Sequence, residues 1–115
     1  MKRFTLDGSA PKSLNEIARE IVLNYATKHW MMSAQAIRDY FVTECKGVGV
    51  AHIVETETEY RKRSWQKSWA RSADEIIIPS KDKLYVSTQW HAKKPTDDFY
   101  CFMDVVHRNG WGKII

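Results

Sequence analysis

Apolar residues recur along the first third of the chain at helical spacing. Leu14, Ile17, Ala18, Ile21, Val22 and Tyr25 repeat at three- and four-residue steps, with Arg19, Glu20 and Asn24 on the other side. Ser13 and Glu16 stand at the capping-box spacing, so this helix is expected to begin near Leu14. Lys28-His29-Trp30-Met31-Met32 breaks the pattern, and Ser33 offers the N-cap of a second helix. Ile37, Tyr40 and Phe41 mark the buried face of that helix, which ends near Cys45 with Gly47 able to take the left-handed conformation that closes it.

From Val50 the period becomes two. Val50, His52, Val54, Thr56, Thr58 and Tyr60 alternate with Ala51, Ile53, Glu55, Glu57, Glu59 and Arg61, which reads as one long, half-exposed strand with three carboxylates on one face. Asp74–Ile78 and Leu84–Trp90 form an expected hairpin across Pro79–Lys83. A last helix, capped by Thr96 or Asp97, carries Phe99, Phe102, Met103 and Val106 on its apolar face and stops at Asn109-Gly110. Lys2–Leu6 is expected to open the chain as a short strand, and Trp111–Ile115 to return to the sheet edge. The pattern predicts an α+β fold: two N-terminal helices and one C-terminal helix packed on a mostly antiparallel sheet of three to five strands.

Composition agrees with a packed globule. The 115 residues are 43% hydrophobic, 28% charged and 12% aromatic, and the length suits a single domain spanning 1–115. No apolar run reaches the roughly 20 residues of a membrane span, and the N-terminus lacks a secretion signal, which predicts a cytoplasmic protein with no membrane partner. Cys45 and Cys101 are expected as reduced thiols. His29, His52, His91 and His107 show no zinc-site spacing, so neither a metal nor another cofactor is expected.

Charge changes the functional picture. Residues 61–71 hold five cations and no acid, so against a whole-chain formal charge of +4 the remainder is left at about −1. Within this stretch Ser64-Trp65-Gln66-Lys67 is followed by the similar Ser68-Trp69-Ala70-Arg71. Cations neutralise phosphates and indoles stack on unpaired bases, so the interleaving points to DNA or RNA contact through Arg61, Lys62, Arg63, Trp65, Lys67, Trp69 and Arg71. Lys93 and Lys94 form a second basic patch that would assist. The plainer reading is a solvated linker whose tryptophans fold back on the core. A helix-turn-helix is the poorer nucleic-acid reading, because Gln35, Arg38, Asp39, Thr43 and Glu44 on the second helix are of mixed sign.

Two other functions compete. A protein-interaction or regulatory module would use Trp30-Met31-Met32 and the acidic face of Glu55, Glu57 and Glu59. A metal-independent ribonuclease would use His52 and His107 as acid and base, with Arg63 or Lys67 stabilising the phosphorane. No nucleophile elbow, phosphate-binding glycine loop or paired catalytic carboxylates accompany them, and the leading expectation is a protein that binds rather than catalyses.

Overall fold

A computed structural model describes residues 3–50, 52–63 and 73–115. Its elements follow in the order α1 (Leu14–Lys28), α2 (Ala34–Glu44), β1 (Val54–Thr56), α3 (Glu57–Arg63), β2 (Ala73–Ile77), β3 (Lys83–Ser87) and α4 (Asp98–Asn109). The three strands form one antiparallel sheet in the order β1-β3-β2. This is the expected α+β architecture, with a fourth, short helix added to it.

The helix ends are set by the residues that the pattern singled out. At the start of α1 the Glu16 carboxylate accepts from the Ser13 backbone N–H at 3.3 Å and from its hydroxyl at 2.7 Å. Ser33 caps α2 by accepting from the Ala36 N–H at 3.1 Å. At the far end of α4, Gly110 adopts φ 67°, which a glycine takes without the steric cost that a Cβ would bring.

Register then divides the sheet into two faces. Val54, Thr56, Leu84, Val86 and Ile76 share the face that meets the core, where Ile17, Ile21, Ile37, Phe41, Phe99 and Phe102 are almost completely buried. On the other face Glu55, Tyr85 and Glu75 lie in one cross-strand row. The Tyr60 ring of α3 stacks on Tyr85 at 4.0 Å and 3°. Arg63 gives its Nε to both Glu55 oxygens, at 2.8 and 2.7 Å, and its Nη2 to Oε1. Both partners of this ion pair are buried.

The long strand expected from Val50 is therefore corrected. It covers only Val54–Thr56, since the chain turns at His52 with φ 55°, and it ends after Thr56 because Thr56 and Glu59 form a second capping pair: the Thr56 N–H donates to Glu59 Oε1 at 3.0 Å, and the Glu59 N–H donates to the Thr56 hydroxyl at 3.3 Å. The acidic face goes with the strand. Glu55 is buried against Arg63, Glu57 meets Arg61 and Lys83, and Glu59 is held by Arg38. The termini are corrected too. Leu6 bridges Ile114, and Thr5 and Ile115 exchange backbone hydrogen bonds of 2.8 and 3.1 Å, so the two ends pair with each other rather than with the sheet. β3 stops at Ser87 because Trp90 turns inward, giving its indole N–H to the Ser87 carbonyl at 2.8 Å and packing on Phe99 and Phe102.

Removing one partner of a buried ion pair strands the other charge, at a cost of about 3–5 kcal/mol. Arg63→Ala should lower stability by about that amount, whereas Arg61→Ala, on an exposed pair, should cost under about 1 kcal/mol. Urea denaturation of the two variants checks this, and equal effects would remove the distinction between the neighbouring arginines.

Candidate functional site

The residues expected to touch nucleic acid separate into three groups. Trp65, Lys67, Trp69 and Arg71 lie outside the described residues. Arg61, Lys62 and Arg63 occupy the last turn of α3, where cations complement the helix dipole. Of these, Arg61 and Lys62 are exposed, and Arg61 meets Glu57 one turn back at 3.1 Å. Arg63 points to the sheet and is 6% exposed, so its charge is used against Glu55 and is not presented at the surface.

Lys93 and Lys94 are exposed on the arm between β3 and α4. Asp97 fixes that arm, its Oδ2 accepting the Lys93 and Lys94 backbone N–H groups at 2.7 and 2.8 Å. Those two hydrogen bonds hold the Asp97 carboxyl below its ordinary value. The lysine ammonium groups are left out of this arrangement. Ala73 pairs with Ser87, so the chain re-enters the described structure from residues 64–72 at the sheet end from which the arm departs.

α1 joins this region to a second one. Its first turns meet β2, with Asn15 and Arg19 reaching the Asp74 carboxylate at 3.5 and 3.6 Å. Its other end, 15 residues and about 22 Å away, carries the turn between α1 and α2. That turn is held on both sides: His29 N–H bonds the Tyr25 carbonyl, Met32 N–H bonds the His29 carbonyl, and Ser33 caps the next helix. Even so, Trp30 is 64% and Met31 80% exposed. The turn thus positions two large apolar side chains that the core does not use.

Beside it lies a cleft of about 530 Å³. The cleft is bordered by Tyr25 and His29 of the α1 end, Tyr40 of α2 and Trp111 of the C-terminal segment, with Asp7, Lys28 and Asn109 among its polar residues. Trp111 gives its indole N–H to the Tyr40 hydroxyl at 3.2 Å. The sequence pattern placed Tyr25 and Tyr40 on buried helix faces, but nothing local links them to Trp111.

The two histidines of the ribonuclease reading border separate clefts. His52 sits in a turn with φ 55°, exposed, its Nδ1 3.3 Å from Glu55, and not on an apolar strand face. His107 Nε2 accepts the Ile114 backbone N–H at 3.0 Å, an attachment for the C-terminal segment. In α2, Arg38 is engaged by Glu59 and Asp39, which removes the one cation among the exposed positions considered for a recognition helix. Among the described residues no group of three or more His, Cys, Asp or Glu side chains is arranged to hold a metal ion, and no helix is long and apolar enough to cross a membrane.

Compared with protein-family models, curated proteins and solved structures, the chain matches none.

Both cysteines are free thiols. Burial pushes the Cys45 thiol up to about 12, whereas Cys101 is only half-buried. Since the thiolate is the reactive form, an aromatic disulfide reagent at pH 8 should modify Cys101 first and Cys45 only on unfolding. Mass mapping of the labelled peptides checks this order, and early labelling of Cys45 would contradict its placement.

Proposed function

We propose that this chain is a non-catalytic, cytoplasmic binding protein that holds nucleic acid by its phosphates, through Arg61, Lys62, Lys67 and Arg71 assisted by Lys93 and Lys94. Trp65 and Trp69 would stack on unpaired bases. The observation that carries this reading is the pairing of Ala73 with Ser87: the residue two places after Arg71 in sequence stands beside the strand end from which the chain continues to Lys93 and Lys94. One strand of phosphates would then meet cations from two parts of the chain, and each neutralised phosphate releases counterions and adds to the salt dependence of binding. Arg63 is left out of the contact set because it is spent on Glu55.

A second reading is favoured by Trp30 and Met31. Leaving a large apolar side chain in water forgoes about 1.5–3 kcal/mol, and here the turn that does so is held at both ends. Such a pair suits the apolar pocket of a protein partner, with Lys28 and His29 beside it to meet carboxylates on the pocket's rim.

A titration of labelled single-stranded DNA, RNA and duplex DNA at two salt concentrations tests the first reading. Binding should weaken with salt, and Lys67→Ala/Arg71→Ala should lower the slope of log affinity against log salt by roughly 1.5. The absence of binding to all three at low salt would overturn it. A protein partner retained at high salt and lost in Trp30→Ala/Met31→Ala would then establish the second.

A further inference from the structure

The rings bordering the cleft at the α1 end are stacked in series. Tyr25 lies 4.2 Å from His29 at 28° and 4.6 Å from Tyr40 at 12°. Two rings so close and so nearly parallel to one plane must cover its opposite faces, so Tyr25 is the middle of a three-ring column. The spacing follows from the sequence: Tyr25 and His29 are four residues apart, one above the other at the end of α1, while Tyr40 comes across from α2. At one end the column abuts Trp111, 5.7 Å from Tyr40. At the other it ends on His29, which is exposed.

Core packing accounts for Tyr40, Phe41 and Trp111, which interlock with one another and with Tyr25 of α1. It does not account for an exposed imidazole continuing the stack, nor for the polar residues around it. Lys28 supplies an ammonium group, and Asn24, Asp7 and Asn109 supply hydrogen-bonding groups on the same cleft. Asn109 Nδ2 is committed to the Val105 carbonyl and Asp7 Oδ1 to the Lys113 N–H, so Asn109 Oδ1 and Asp7 Oδ2 have no bond of their own among the contacts described. Burial, and then the neighbouring Tyr40 hydroxyl to which it is hydrogen-bonded, raise the Tyr25 hydroxyl above its ordinary value. The volume of about 530 Å³ is that of a site for a small organic molecule.

A planar face at the end of a ring column selects a planar ring. The carboxylate and amide oxygens suit a ring bearing an exocyclic amine, and the lysine suits an anion attached to it. We infer that the cleft binds an adenine-type nucleotide, its base laid on the His29 end of the column and its phosphate held by Lys28. The nucleotide is either free or the terminal residue of a strand, since both present the same base and phosphate. The inference goes beyond the phosphate-gripping role above and does not rest on it: none of Arg61, Lys62, Arg63, Lys93 and Lys94 borders this cleft.

Calorimetric titration of the full chain with adenosine monophosphate, adenosine and a 5′-phosphorylated oligoadenylate tests it. The monophosphate should bind saturably and more tightly than adenosine. Lys28→Gln should bring its affinity down to that of adenosine while leaving adenosine unchanged, and His29→Ala should weaken both by about 10-fold, the loss of one stacking partner. Both substitutions are at exposed positions, and circular dichroism confirms the fold before each titration. Lys67→Ala/Arg71→Ala should leave binding of the monophosphate intact even if it abolishes capture of long strands, which separates failure of this site from failure of the basic one. An oligoadenylate that binds with the same Lys28 dependence identifies a strand end as a ligand of the site, and one that does not bind identifies the free nucleotide. No saturable heat with the monophosphate at millimolar concentration, or binding untouched by both Lys28→Gln and His29→Ala, would overturn the assignment.

Discussion

The arrangement of the whole second face of the sheet depends on one buried ion pair. Glu55 points away from the apolar core by the alternation of β1, and a carboxylate enclosed there without a cation would carry several kcal/mol of desolvation cost. Arg63, eight residues on, answers it with three hydrogen bonds. For the guanidinium to reach, the chain must reverse within seven residues and lie back across the sheet, and α3 is that reversal. The Tyr60–Tyr85 stack follows from the same fold-back.

The ion pair also sorts the cations. A run of basic residues reads as one uniform patch, but its first three members end up in different surroundings. Arg63 is neutralised inside, Arg61 has a carboxylate one turn behind it, and Lys62 faces water. The Trp30 turn and its ring column lie at the end of α1 away from the turns that meet Asp74 of β2.

How much of this was legible in the sequence depended on how local the cause was. α1, α2 and α4 are fixed by caps and apolar spacing within a few residues, and the hairpin of β2 and β3 by its loop, so all were readable. The α3 region is hidden in the sequence because period-two alternation continues past Thr56 and overlies the cap. The signal was nevertheless present: Thr56 and Glu59 stand at the same spacing as Ser13 and Glu16, and Glu57 and Glu59 precede Arg61, Lys62 and Arg63 in the order a helix dipole favours. The pairing of the two termini and the meeting of Tyr25, Tyr40 and Trp111 were not readable, because each joins residues far apart in the chain with no local pattern to announce it. Of the candidate contact residues, Arg63 could be reassigned only once its buried partner was known.

Glu55 and Arg63 act as one unit. The most direct test is a double-mutant cycle with Glu55→Leu and Arg63→Met, read as unfolding free energy. If the pair is a unit, each single substitution strands a buried charge and is strongly destabilising, while the double variant, with both charges gone, recovers most of the loss. If the two single losses simply add in the double variant, the residues are not coupled, and the fold-back of α3 must be held by something else.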